Sequence, residues 1–333
     1  MATFKTDEQF NLTQSSKEMN NFPSKETIES APQRIAAFIH QTPVLTSISL
    51  NKIVGCDLYF KCENFQKMGA FKMRGAAYAV DLLSKEAKQK GVATHSSGNF
   101  AQALALAAKI NGIKAHIVMP ENSPKVKKAA VLGYGAEVTD CASNLAARES
   151  TLKDVVARTG ATFVHPFNDW NVMIGNSTCA NELLQQVEGL DYIVSPVGGG
   201  GLIGGTALTV HYLSPQTKVI GGEPMNADDA FRSLKAGHIV PVQNPDTIAD
   251  GLRTSLGEKT FAVINELVEE IICVSESEII AAMRLVWERM KIIIEPSSAV
   301  SLAAIIKEKS KFEGKKVGVI FSGGNVDVEN LPF

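Results

Sequence analysis

Short runs of β-branched residues alternate with longer helical patterns along most of the chain, and this alternation restricts the fold more than any other feature. The strand-like runs are Asp57–Lys61, Val92–Thr94, Ala115–Val118, Glu137–Thr139, Tyr192–Val197, Lys218–Gly221, Ile271–Val274 and Lys316–Phe321. Helical windows lie between them at Ala101–Ile110, Leu145–Thr159, Thr178–Val187 and Glu278–Met290, several with apolar residues at three- and four-residue spacing. Such alternation predicts βαβ units, hence an α/β fold of mostly parallel, twisted sheets with helices on both faces. At roughly 150 residues per domain, a chain of 333 residues is expected to form two domains. Ligands of such sheets bind beyond the carboxyl ends of the strands, so the loops after strands are where chemistry is expected.

Composition narrows the function. Lys and Arg number 33 against 35 Asp and Glu, with no basic run, so neither nucleic acid nor an anionic membrane is an expected partner. The longest apolar stretch, Ala101–Ile110, is interrupted by Lys109 and is too short to span a bilayer. The polar, mixed-charge beginning reads as neither a signal nor a transit peptide. Cys56, Cys62, Cys141, Cys179 and Cys273 are scattered without a CxxC pair, as reduced thiols of a cytoplasmic protein would be. The six histidines show no paired metal-ligand spacing.

Several segments carry groups suited to chemistry. In FQKMGAFKMRGA, Lys72 stands at the head of an apolar helical pattern. A lysine there is either an ordinary solvated one or, hemmed by Phe71 and Met73, a desolvated amine reactive toward carbonyl compounds. In HSSGNF a strand ends and a helix begins, so Ser96, Ser97 and Asn99 are either plain caps or part of a site for a carboxylate or phosphate. Four consecutive glycines, Gly198 to Gly201, follow the run YIVSPV. Bare backbone there lets several N–H groups converge on an anion, and four glycines are expected to pack nothing. Gly199, Gly201 and Gly204, with Glu223 further on, also satisfy a dinucleotide fingerprint, which leaves an NAD-dependent dehydrogenase as a second reading. Two small-polar segments, IIIEPSSAV with Glu295 and FSGGNVD with Ser322, complete the set as loops expected at strand ends.

In their order along the chain, the lysine segment, SSGN, the glycine run, GGEPMNADD, EPSS and SGGNVD resemble the serine racemase and serine/threonine dehydratase family of fold type II (tryptophan synthase β-like) pyridoxal-phosphate enzymes. The resemblance runs from about Glu26 to Asp327. It implies a polar tail over 1–24, a large cofactor-binding domain over 25–81 and 169–333, and a small domain over 82–168. Lys72 then holds pyridoxal 5'-phosphate covalently, Phe71 lies against its ring, and Gly198, Gly199, Gly200, Gly201 and Leu202 take its phosphate. Asn99 faces the phenolic oxygen, Glu295 belongs to the cofactor-binding set, and Ser322 faces the pyridine nitrogen. Ser96, Ser97, Gly98 and Asn99 bind the substrate, and Ser97 works on the face opposite Lys72. Glu223, the Ala227 carbonyl and Asp229 match a divalent-cation site, a solvated helix start being the plainer reading of the acidic cluster. Two carboxylates and a carbonyl suit Mg2+, Ca2+ or Mn2+ rather than zinc. The implied reaction is water elimination from serine or threonine to a 2-oxo acid and ammonia, with serine racemisation beside it, in a homodimer acting on a small amino acid. The ending NVDVENLP and EPSSAV also resemble 3-hydroxyaspartate dehydratases. Phe100 stands where His is usual, Gly175-Asn176-Ser177-Thr178 where GQGT is expected, and Phe167 where animal racemases carry Asn. Lys67, Lys291 and Asn325 match the nucleotide effector site of animal racemases, but Met68 replaces a Thr.

Overall fold

A computed structural model describes residues 22–123 and 125–333, so the expected tail over 1–24 falls almost wholly outside the described residues. The strands are β1 (Val44–Leu45), β2 (Asp57–Cys62), β3 (Val92–His95), β4 (Ala115–Pro120), β5 (Glu137–Cys141), β6 (Thr162–Phe163), β7 (Tyr192–Pro196), β8 (Lys218–Pro224), β9 (Glu270–Val274) and β10 (Lys316–Phe321). They form a six-stranded sheet, β1-β2-β10-β7-β8-β9, and a four-stranded sheet, β5-β4-β3-β6. Every pairing is parallel except β1 with β2, as the alternation predicts. In the larger sheet Gly318 of β10 lies opposite both Tyr59 and Ile193, and a Cβ on it would come within 2.8 Å of Leu183. Glycine there lets a helix settle onto the sheet. Phe60 and Phe321 stack on neighbouring strands with centroids 4.7 Å apart.

Two departures from the expected elements have physical causes. The helix placed at Thr178–Val187 runs from Trp170 to Gln186, capped by the Asp169 carboxylate. Its residues 172–183 are all buried, so no exposed face gives it an amphipathic period. Small residues let its neighbours approach: a Cβ on Gly175 would lie 2.4 Å from the Arg74 carbonyl oxygen, and one on Gly205 would lie 2.6 Å from the Met173 carbonyl oxygen. The helices Lys72–Asp81 and Gly201–Leu213 thereby sit on either side of it at close range. The second departure concerns EPSS, which was expected to follow a strand. Ile292–Ile294 form none; that loop follows the helix Glu276–Met290 instead. Ile294 fills the core while Ile293 is exposed, an apolar run split between burial and surface. Among the described residues no helix is long and apolar enough to cross a membrane.

Candidate active site

The amine of Lys72 lies where the two sheets' loops meet. The chain turns sharply after β2 through Met68 (φ 56°) and Gly69 (φ 77°). The Phe71 N–H then donates to the Ser322 carbonyl at 2.9 Å, fixing the start of the Lys72–Asp81 helix against the end of β10. Lys72 Nζ donates to the Pro166 carbonyl at 3.2 Å and sits 4.8 Å from the Phe71 ring and 5.9 Å from that of Phe100. The lysine keeps some accessible surface, but its packed surroundings desolvate the ammonium and pull its pKa from 10.5 to about 8, the Glu295 carboxylate opposing the shift. Of the two readings of this lysine, the desolvated one describes it.

From Pro166 the contacts pass to the glycine run. His165 Nδ1 accepts from the Asn168 N–H at 2.9 Å and the Phe167 N–H at 3.3 Å, which holds the turn. Burial, then His95 and Lys72, push the His165 pKa down to about 4, so the ring stays a neutral acceptor. The Phe167 ring covers Gly199, where a Cβ would lie 2.4 Å from it. Gly200 is left-handed (φ 85°) and caps the Gly201–Leu213 helix. A Cβ there would meet Thr260 at 2.8 Å, and one on Gly198 would meet the Gly251 carbonyl oxygen at 3.0 Å. The glycines therefore do pack closely, contrary to expectation, because neighbours crowd the turn from several sides. Leu202, the next residue, is buried in that helix's first turn.

Gly251 leads on to the EPSS and SGGN loops. Its N–H donates to Ser297 Oγ at 3.1 Å. Ser298 Oγ lies 3.1 Å from Ser322 Oγ and donates to the Gly323 carbonyl at 2.6 Å. Asn99 Nδ2 donates to both Glu295 oxygens, at 3.0 and 3.2 Å, while Asn325 Nδ2 donates to Asn99 Oδ1 and to the Met68 carbonyl, each at 2.9 Å. Burial and then Asp250 raise the Glu295 pKa to about 7, while Asn99 and Lys127 work the other way. Ser96, Ser97 and Gly98 are half-buried between β3 and the Asn99–Ile110 helix. Ser96 Oγ accepts from the Gly98 N–H at 3.3 Å, and a Cβ on Gly98 would meet only open space. Of the residues matched to an effector site, Asn325 is committed to Asn99 and Met68, whereas Lys291 is exposed in a left-handed turn (φ 60°).

The acidic cluster is fully buried. Glu223, at the end of β8, accepts from the Ala230 and Phe231 N–H groups, both at 2.8 Å. Asp229 Oδ2 accepts from the Leu256 N–H at 3.0 Å, while its Oδ1 has no partner. Burial, then Asp229, holds the Glu223 carboxyl well above the usual carboxylate range, and burial pushes Asp229 to about 7. A solvated helix start does not describe this pair. Nor does the dinucleotide reading survive: it needs Glu223 open to a ribose, and Glu223 is buried.

Sequence reasoning missed a second buried cluster two residues beyond Lys72. Arg74 pairs with Glu63 (Nε to Oε2 2.7 Å, Nη2 to Oε1 2.8 Å) and with Glu182 (Nη1 to Oε1 2.8 Å, Nη2 to Oε2 2.8 Å). Lys61 Nζ donates to Glu182 at 2.7 Å, to Gln186 at 2.9 Å and to the Thr42 carbonyl at 2.8 Å. Lys61 in β2 and Arg74 among apolar helix residues were the available signals: charges inside patterns that otherwise read as core.

Comparison with known proteins agrees with this geometry. Residues 35–323 match the family model described as pyridoxal-phosphate dependent enzyme. A β-hydroxyaspartate dehydratase of Paracoccus denitrificans is 50% identical over 311 residues, covering 93% of this chain and 99% of that protein. The crystal structure of the serine racemase from Dictyostelium discoideum superposes with a TM-score of 0.88 at 51% identity, covering 92% of this chain and 99% of that one. The crystal structure of a T.th. threonine deaminase superposes with a TM-score of 0.87 at 42% identity, over 92% and 99% of the two chains. The expected fold type II architecture is thus the one present. With its desolvated lysine, glycine turn and serine loop, the chain belongs to the pyridoxal-phosphate-dependent enzymes.

Proposed function

We propose that this enzyme abstracts the α-proton of a small β-hydroxy amino acid and eliminates water, giving a 2-oxo acid and ammonia, with serine first among its substrates, threonine close behind, and serine racemisation sharing the first step. The observation that carries the reading is the Lys72 amine, desolvated to a pKa of about 8 and held by the Pro166 carbonyl beside a side-chain-free turn. An amine so tuned is nucleophilic toward a carbonyl near neutral pH and able afterwards to take a proton.

The residues fit pyridoxal phosphate. The glycine turn at the start of the Gly201–Leu213 helix would offer its backbone N–H groups to a phosphate. When bound, the cofactor supplies an electron sink for the charge left on the α-carbon. Lys72 would hold it and keep the abstracted proton on Nζ, with the Phe71 ring alongside. Asn99, held by Glu295, would present its second amide hydrogen to the phenolic oxygen. Ser322, a hydroxyl steadied by Ser298, would face the ring nitrogen without forcing a proton onto it, which favours prompt loss of a β-hydroxyl over transamination. Ser96, Ser97 and Gly98 with the start of the Asn99–Ile110 helix would take the substrate carboxylate, and Ser97 Oγ would carry the proton on the opposite face. The Phe100 ring gives that serine no hydrogen bond, which weights the balance toward elimination.

Glu223, the Ala227 carbonyl and Asp229 would hold Mg2+, or Ca2+ or Mn2+. The orphaned, buried Asp229 Oδ1 and two carboxylates forced toward protonation are what a hard cation relieves. The division into a unit of 25–81 with 169–333 and a unit of 82–168 is supported by the sheets, since β3 to β6 all fall in the second range. A homodimer is the proposed assembly. Phe65 and Ile293, 45% and 50% exposed, supply apolar surface for it on segments joined by the Asn64 bond to the Ile293 carbonyl. The five cysteines are all unpaired, which supports a reducing, cytoplasmic setting.

The 50% identity to a β-hydroxyaspartate dehydratase supports 3-hydroxyaspartate as a second substrate. The test is 2-oxo acid and ammonia release from L-serine, L-threonine and the 3-hydroxyaspartate diastereomers, with D-serine followed chromatographically. Turnover of L-serine is expected, and in Ser97→Ala loss of D-serine formation with elimination retained. Indifference to all these substrates would overturn the reading; a variant that racemises like wild type would remove Ser97 from the second face.

A further inference from the structure

One ion pair joins the layers around the two sheets beside the site. Lys127, on the helix Lys125–Gly133 after β4, pairs with Asp250, in the turn Asp250–Leu252 before β9. The first element belongs with the four-stranded sheet and the second with the six-stranded one. The Lys127 side chain is only 13% exposed, so this cation has given up much of its hydration to reach its partner, which an ornamental surface pair does not require. The same division is crossed at Glu295: this residue caps the Pro296–Lys307 helix, whereas its donor Asn99 opens the helix after β3. The turn bearing Asp250 is tied to that cap, because the Gly251 N–H donates to Ser297 Oγ.

We propose that Lys127 is a positioning residue: its ion pair with Asp250 latches the two layers over the site and so holds Glu295 against Asn99, whose amide donates to both of its oxygens. The proposal rests on the reading of Asn99 as a residue facing cofactor and substrate. Charged and polar groups act on Glu295 from both layers. Asp250 opposes its ionisation, Lys127 favours it, and Lys72 lies close enough for mutual attraction. The Asn99 side chain and the Asn325 backbone complete its surroundings as neutral donors. With the pair made, Lys127 works against Asp250 at Glu295, in part. With the layers parted, Asp250 is left bare beside a buried carboxylate, which then takes up a proton and gives up one of the two acceptors that hold Asn99. Closure therefore expels a proton, and acid favours the open arrangement.

The two partners should err in opposite directions, which a merely structural link would not do. Lys127→Met leaves Asp250 to hold the proton on Glu295; Asp250→Asn leaves Lys127 to drive it off. The experiment measures kcat/KM against pH for the holoenzyme and these variants, using whichever β-hydroxy amino acid is turned over. Alongside it, hydrogen–deuterium exchange of residues 125–133 is followed in the substrate-free holoenzyme. The acid limb is expected to move up by about half to one pH unit in Lys127→Met and down by a similar amount in Asp250→Asn. Lys127→Arg should stay with the wild type, and exchange over 125–133 should rise several-fold in the first two variants only. Limbs that move together or stay in place, or exchange that is unchanged, overturn the latch. If the wild type turns over none of the substrates, the proposed reaction fails and the exchange measurement still decides the latch.

Discussion

Among the described residues, the buried charges around Arg74 and those around Glu223 are built on opposite principles. Around Arg74 the charges balance: two cations, Arg74 and Lys61, meet two carboxylates, Glu63 and Glu182. Burial alone would raise Glu182, but Arg74 and Lys61 hold it below the ordinary range. Around Glu223 and Asp229, among the described residues, no cation comes within hydrogen-bonding distance; Arg232, paired with Asp228, draws Asp229 down only from further off, one oxygen is orphaned, and both carboxylates are driven up. A balanced cluster satisfies itself and so belongs to the architecture. An unbalanced one leaves a place for the cation proposed above. Side chains near an active site can therefore be sorted by whether the protein alone settles their electrostatics.

The largest expected effect breaks the balanced cluster. Arg74→Met leaves Glu63 and Glu182 buried without their shared cation and should cost about 3–5 kcal/mol of stability, read as a fall in the urea midpoint. A loss below about 1 kcal/mol would mean that the network is no tighter than a surface pair.

A smaller effect sharpens the other side. Asp229 has a folded-state pKa raised to about 7, above its unfolded value of 3.8, and Glu223 is raised as well. Between those values the folded protein holds more protons than the unfolded chain, so stability falls as pH rises through that window. In a chelator, the melting temperature should thus decline from about pH 5 to pH 8, and Mg2+ should restore it more strongly at the upper end. A Mg2+ response independent of pH, or none, would return the cluster to a metal-free explanation.

The smallest change is Asp229→Asn. Removing one buried charge should stabilise the chelated protein at pH 8 by about 1–3 kcal/mol while abolishing the Mg2+ response. Destabilisation in chelator would show that the ionised carboxylate is already accommodated by the protein.

These clusters also mark where the sequence was legible and where it was not. Period and β-branching located β2, β3, β4, β5, β7, β8, β9 and β10, because each is a short run with β-branched or aromatic residues bounded by loops. The two-residue strands β1 and β6 are too short to carry a pattern. The first half of the Trp170–Gln186 helix was hidden because burial on all sides erases amphipathic period. Lys72, the glycine run and the serine loop were visible because each sits where a chain turn exposes backbone. The Arg74 cluster left as its trace only lone charges, Lys61 and Arg74, inside core patterns. Its partners lie 11 and 108 residues away from it, and only the folded chain brings them together.

The central claim is that one amine, that of Lys72, is the point of cofactor attachment on which the whole site converges. Borohydride reduction of the yellow holoenzyme, followed by proteolysis and mass spectrometry, locates that attachment directly. The account predicts a single pyridoxyl-labelled peptide containing Lys72, and no label in Lys72→Ala. A label on any other lysine, or cofactor absorbance retained covalently in Lys72→Ala, would contradict it.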